Sequence, residues 1–260
     1  MNMQIGASVL THSAHGVMTI TLNRPELVNV IDQNMRSDLQ QIFTSIRTDD
    51  EIHAVIITGS KDNFCVGGDI ASMEDMTEQA ALLQMQDIRD TAMAIAGCDK
   101  PVIAAIEGHA AGAGIGIALL CDKVIASNSA RFTFSFSRVG LGPDWGLSTT
   151  LPDRVGRATA RKLLWEASKF DTRTALEMGL VDQSCLPGGA MDTAWMEAKI
   201  LANKPALSVQ HVKRYYSKPL DELRLALENE AENQTTCFMS EDFIKSLNVF
   251  RNRRRPDSSD

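Results

Sequence analysis

No apolar run in this sequence approaches the ~20 residues that a membrane-spanning helix needs, which argues against a membrane role. The N-terminal stretch MNMQIGASVL lacks the charged start and apolar core of a secretion signal, so the expected address is cytoplasmic. Basic residues are in deficit: 26 Lys and Arg stand against 33 Asp and Glu, a net charge of −7. That balance speaks against a nucleic-acid or membrane-surface partner, and an anionic ligand must be met by local positive groups. Cysteines are few, five in all at 65, 98, 121, 185 and 237, without metal-ligand spacing and mostly in apolar runs. Reduced, buried thiols and no metal site are the expectation. No Gly-x-Gly-x-x-Gly follows a strand with an acidic residue downstream, so dinucleotide binding has no support.

At 260 residues and 44% hydrophobic, the chain is long enough for one large domain, or for one domain with an appendage. Its organising stretch runs from Lys100 to Asp122. Apolar residues Val102 to Ile106 give way to Gly108, Gly112, Gly114 and Gly116, then to a second apolar run from Ile117 to Leu120. The pattern predicts strand, tight turn and buried helix. Glycines at such a junction let backbone approach a ligand closely, and the first N–H groups of the helix have no intrahelical acceptor. A carbonyl oxygen acquiring negative charge is a natural guest for them. Close packing of a helix on a sheet is the other use of the same small residues. Ala54 to Ile70, AVIITGSKDNFCVGGDI, repeats the outline: strand, polar loop, and a turn at Gly67-Gly68.

Upstream, Val9, Val17, Ile20 and Leu22 fall in two short strands split by Ser13-Ala14-His15-Gly16, a hairpin signal. Asp32 is placed to cap a helix bearing Met35, Leu39, Ile42, Phe43 and Ile46 at helical spacing. A second helix is predicted over Thr77 to Ala96. Met73, Met76, Leu82 and Met85 are suited to line an apolar pocket, or simply to fill core. Strands over Lys123 to Ala126 and Ala130 to Phe134 lead into the loop SFSRVGLGPDWGLS, followed by helices over Leu147 to Ala167 and Arg173 to Met178. Three or four such units in succession predict a repetitive α/β spiral. Pro187-Gly188-Gly189 marks the expected boundary between a spiral core, residues 1–187, and a helical region, residues 188–260.

The motif FxxGGDI at Phe64 to Ile70, the stretch GHAAGAG…CD at Gly108 to Asp122, and the opening Leu22-Asn23-Arg24-Pro25 together resemble the crotonase superfamily, the enoyl-CoA hydratases and isomerases. The likeness covers nearly the whole chain. It implies a crotonase-like spiral of repeated β-β-α units with a C-terminal helical trimerisation region. It further implies that the backbone N–H groups of Gly68 and Ala113 form an oxyanion hole for a thioester carbonyl. Leu27 and Val28, with Val66, Gly67, Gly68, Asp69 and Ile70, would surround coenzyme A, and the spacing of Phe250 and Arg253 is similar to a C-terminal pair that reaches a neighbouring subunit's coenzyme A. The implied substrate is an acyl-CoA, with no permanently bound cofactor, and the implied assembly a homotrimer or a pair of trimers.

Hydratases of this family use two glutamates. Placed on the family pattern, Gly116 and Phe136 occupy those positions, and Ile115, Ile117, Ser135 and Ser137 beside them carry no carboxylate either. One acid stands in the right loop: Pro143-Asp144-Trp145-Gly146 is similar to the GLxPDxGG run of the isomerase branch, which includes epoxyphenylacetyl-CoA isomerase. Asp144 is therefore the expected proton carrier of an enoyl-CoA isomerase. An aspartate ahead of a helical pattern also reads as an N-cap for Trp145 to Leu151. Two other readings stay open: a hydratase or related enolate enzyme using Glu74 or Asp75, and a CoA-thioester-binding protein without turnover.

Overall fold

The computed structural model of the chain describes residues 8–254, with side chains from 8 to 249. The order of elements is β1 (Val9–Ala14), β2 (Val17–Leu22), α1 (Gln33–Arg47), β3 (Ala54–Gly59), α2 (Glu78–Ala96), β4 (Val102–Ile106), β5 (His109–Ala111), α3 (Ala113–Leu119), β6 (Lys123–Ser127) and β7 (Arg131–Thr133). It continues with α4 (Leu147–Val155), α5 (Arg157–Glu166), β8 (Lys169–Asp171), α6 (Thr172–Glu177), β9 (Gln183–Cys185), α7 (Ala190–Ala202), α8 (Ala206–Tyr216), α9 (Leu220–Phe238) and α10 (Glu241–Arg254). Short 3-10 turns lie at Pro25–Leu27, Ile70–Met73 and Phe136–Val139. Asp32 caps α1 as expected, accepting from the Met35 N–H at 2.8 Å, and His15-Gly16 turns the first hairpin with φ of 50° and 75°.

A large sheet has the order β1-β2-β3-β4-β6-β9, parallel from β2 onward. Strand β4 is buried from end to end and apolar throughout, as a parallel strand covered on both faces must be. Alternation sorts its side chains: Val102, Ala104 and Ile106 join the main core with α1 and α2, while Ile103 and Ala105 face Ala190, Ala194 and Ala198 of α7. Those alanines are spaced four residues apart, on one face of the helix, so α7 lies close to the sheet although it follows the boundary expected at Pro187.

A smaller sheet, β5-β7-β8, forms a second layer. Cys65 extends its edge through a bridge to Ala110, its N–H donating to the His109 carbonyl at 3.0 Å and its carbonyl accepting from Ala111 at 2.9 Å. The chain therefore makes one step three times. It runs β3, the Cys65 segment, α2; then β4, β5, α3; then β6, β7, α4. This is the expected β-β-α spiral. The single helix expected from Leu147 to Ala167 is instead two, α4 and α5, parted by Gly156 at φ 78° and ψ 153°. Pro152 has no N–H to offer the turn before it, and glycine accepts the left-handed break.

Helix α9 folds back along α2, placing Leu223, Leu227 and Phe238 in the main core. Helix α10 crosses the 3-10 turns at 70–73 and 136–139 of the same chain. Phe243 is buried there against Gly140, edge-on to Phe238 with ring centroids 5.3 Å apart. Among the described residues no helix is long and apolar enough to cross a membrane.

Candidate active site

The spiral delivers Gly68 and Ala113 side by side. Each stands three residues past its partner in the Cys65–Ala110 bridge (68 − 65 and 113 − 110), on adjacent parallel segments. Gly67 makes the turn at φ 105°, where a Cβ would stand 3.2 Å from the Ala111 carbonyl oxygen and 3.7 Å from the Ala113 nitrogen. Only glycine combines that torsion with so close an approach. Ala113 opens α3 behind Gly112, so its N–H has no intrahelical acceptor. Among the described residues neither the Gly68 nor the Ala113 N–H finds a hydrogen-bond acceptor.

The residues expected around coenzyme A are also brought together. The Val66 N–H donates to the Val28 carbonyl at 3.3 Å, Ile31 to Gly67 at 2.8 Å, and Asp69 to Ile31 at 3.1 Å, which lays the Leu27-Val28 turn against the Val66 to Ile70 loop. Arg24 locks the two, with Nη1 3.3 Å from both the Asp69 and the Asp32 carboxylates. Asn29, fully buried, accepts from the Arg24 N–H and the Ser60 hydroxyl and donates to the Ser60 and Asn63 carbonyls. Phe250 and Arg253 lie on α10, but their side chains fall outside the described residues.

Position 116 has no room for a glutamate. A Cβ there would stand 2.5 Å from Trp145 Cβ and 3.7 Å from Leu147 Cγ, closer in the first case than real side chains come. Trp145 is 2% exposed and sits at φ 58°, a left-handed conformation that costs a bulky residue ~1–3 kcal/mol and must be held by its surroundings. Phe136, expected at the other glutamate position, is buried with its ring edge 3.7 Å from where a Cβ on Gly112 would be. Aromatic rings thus fill the two places.

Asp144 is buried beside Trp145. Its Oδ2 accepts from Gln234 Nε2 at 3.2 Å, and its Oδ1 has no partner. Burial pushes its pKa up to about 8, the nearby Glu230 carboxylate adding to the rise. The Gln234 hydrogen bond and the Arg36 guanidinium oppose it. The cap reading of Asp144 is corrected: Trp145 and Gly146 both turn left-handed, α4 starts only at Leu147, and Asp144 offers it no side-chain bond. The cap comes from α9. Glu230 accepts from the Gly146 and Ser148 N–H groups, both at 2.8 Å, and its own pKa is raised by burial.

Glu230 and Gln234 escape a reading for chemistry, yet a signal exists. The buried face of α9 runs Leu223, Leu227, Glu230, Gln234, Phe238, so the core-facing spacing continues through two polar residues. Glu74 and Asp75, the other acids considered, are exposed to solvent. Of the methionines, Met73 lies with Cε 3.3 Å from a Cβ placed on Gly68, while Leu82 is half-exposed. A cavity of about 820 Å³ is lined by Phe136, Pro143 and Leu147 but does not include Gly68, Ala113 or Asp144.

The spiral and the two glycine turns define a class that comparison with known proteins makes specific. The enoyl-CoA hydratase/isomerase family model matches residues 12–260. The 1,2-epoxyphenylacetyl-CoA isomerase of Escherichia coli (strain K12) is 34% identical, covering 95% of this chain and 97% of that protein. The short-chain-enoyl-CoA hydratase of Clostridium acetobutylicum is 32% identical over 95% and 96%. The crystal structure of an enoyl-CoA hydratase from Mycobacterium avium subsp. paratuberculosis K-10 superposes with a TM-score of 0.85 at 29% identity, covering 98% and 99%. This chain belongs to the enoyl-CoA hydratase/isomerase family of the crotonase superfamily.

Proposed function

We propose that this member of the family is an enoyl-CoA isomerase that moves a double bond from C3=C4 to C2=C3 with Asp144 as its single proton carrier. The Asp144 carboxylate takes a proton from C2. The electron pair passes into a dienolate whose charge rests on the thioester oxygen, and the proton held on Asp144 is then delivered to C4. The Gly68 and Ala113 N–H groups would hold that oxygen; one such donor is typically worth ~3 kcal/mol in the transition state. Burial suits Asp144 to the task, since a carboxylate with a raised pKa is a stronger base toward a carbon acid.

The observation that carries the reading is the buried Asp144 oxygen left without a partner, while the positions of both hydratase glutamates hold Gly116 and Phe136. The substrate is a coenzyme A thioester bound among Leu27, Val28 and Val66 to Ile70, with no resident cofactor. The assembly is a homotrimer or a pair of trimers in the cytoplasm, in which Phe250 and Arg253 reach a neighbour's ligand. Turnover of 3-enoyl-CoA esters, followed by appearance of the conjugated thioester beside a crotonyl-CoA hydration assay, tests the activity. Isomerisation with negligible hydration is expected; brisk hydration, or tight binding of both esters without conversion, would overturn it.

A further inference from the structure

We propose that Gln234 and Glu230, one turn apart on α9, are positioning residues for Asp144: Gln234 fixes which carboxylate oxygen is free, and Glu230 clamps the turn that carries it. The proposal rests on the reading of Asp144 as the proton carrier.

The geometry of Gln234 leaves one orientation of its amide. The Gly142 N–H can only donate, and it meets Oε1 at 2.8 Å, so Nε2 must face Asp144, where it lies 3.2 Å from Oδ2. That bond uses one carboxylate oxygen and leaves Oδ1 as the acceptor for a substrate proton. Glu230 holds the other side of the residue. Its two oxygens take the Gly146 and Ser148 N–H groups, donors that the start of α4 would otherwise leave unpaired, and so pin the left-handed Trp145-Gly146 pair that follows Asp144. Two carboxylates and an amide in a buried cluster are a costly way to hold a loop that apolar side chains would pack more cheaply. Their arrangement makes sense if the state of Asp144 is what they serve.

The charged groups acting on Asp144 are Glu230 from α9 and Arg36 from α1, the latter paired with Asp87 of α2. Glu230 opposes ionisation of Asp144, while Gln234 and Arg36 favour it. Substitutions of the two α9 residues should therefore move its titration in opposite directions. Glu230→Gln removes the charge and should lower the Asp144 midpoint by about one pH unit; Gln234→Met removes the donor and should raise it by a similar amount.

The experiment uses the full-length protein and reads two quantities. The Asp144 carboxyl is titrated by infrared difference against the matching Asp144→Asn protein, and the pH profile of kcat/KM is measured on a 3-enoyl-CoA ester. Opposite shifts in the infrared titration, with kcat for Gln234→Met down ~10–100-fold and KM within about twofold, are expected. If Gln234→Met does not fold, Gln234→Asn, a methylene too short to reach both partners, is read in the same way. Midpoints unmoved in both variants would overturn the clamp. Shifted midpoints with turnover unaffected would refute the positioning role, whereas an Asp144→Asn protein that isomerises at the wild-type rate would refute Asp144 as the base, so the two failures are distinct.

Discussion

Gly116 and Trp145 exclude each other's alternatives: the absent side chain at 116 is the space in which the Trp145 Cβ sits, 2.5 Å from where a Cβ would be. Gly116→Ala should therefore destabilise the fold by about 1–3 kcal/mol, because overpacking a buried, strained residue forces backbone to move. Gly116→Glu should do so more severely and should not create a hydratase, although it restores a residue the hydratases use. Thermal melts with a crotonyl-CoA assay check both. A stable Gly116→Glu protein that hydrates crotonyl-CoA would contradict the placement of Trp145.

The pH profile follows from the raised pKa of Asp144. A base must be ionised to accept a proton, so kcat/KM should climb about tenfold per unit below pH 8 and level off above it. Stability runs the other way. The unfolded chain releases the Asp144 proton near its ordinary value of 3.8, so the stability this residue contributes at low pH is lost as pH rises towards about 8. Asp144→Asn should therefore gain in melting temperature relative to wild type across that window. Parallel melting curves for the two proteins from pH 4 to 9 would count against the raised pKa.

Gly67 and Gly68 should respond differently to the same substitution. Gly67→Ala meets both a φ of 105° and the Ala111 carbonyl, and should cost about 1–3 kcal/mol of stability. Gly68→Ala meets only the movable end of Met73 and should fold normally. Gly68→Val and Ala113→Val should fold yet lose thioester turnover, because bulk enters the slot beside their N–H groups. Full activity in both valine variants would refute the oxyanion-hole assignment.

Large apolar side chains remain exposed on the single chain: Leu207 at 65%, Tyr215 at 80% and Tyr216 at 87% on α8, with Trp165 at 74% after Arg161. Exposed aromatic and aliphatic side chains of this kind are what a subunit contact would cover. Light scattering should return three or six times the chain mass at micromolar concentration, and Leu207→Asp with Tyr216→Glu should reduce it. A wild-type monomer would contradict the assembly.

Much of this was legible in the residues because it is local. The cap at Asp32, the turn at His15-Gly16 and the glycine turns at 67–68 and 112 depend on neighbours a few positions away, and local chemistry dictates them. What escaped is long-range. Asp144 reads from the sequence as a cap as well as a proton carrier, because nothing nearby says that Glu230, 84 residues beyond Gly146, already holds that helix end. The amide facing Asp144 comes from 90 residues away. Pro187-Gly188-Gly189 reads as a boundary because it is a strong breaker, while the alanine face that packs α7 on the sheet is weakly apolar and gives little sequence signal.

The most direct test is Asp144→Asn assayed on a 3-enoyl-CoA ester. Asparagine keeps an oxygen for Gln234 Nε2 and leaves the α4 cap on Glu230 untouched, so the fold and the affinity for the CoA ester should be nearly unchanged. Only the base is removed, and loss of general-base catalysis should lower isomerisation by ~10²–10⁴-fold. An Asp144→Asn protein that isomerises at the wild-type rate would contradict the account.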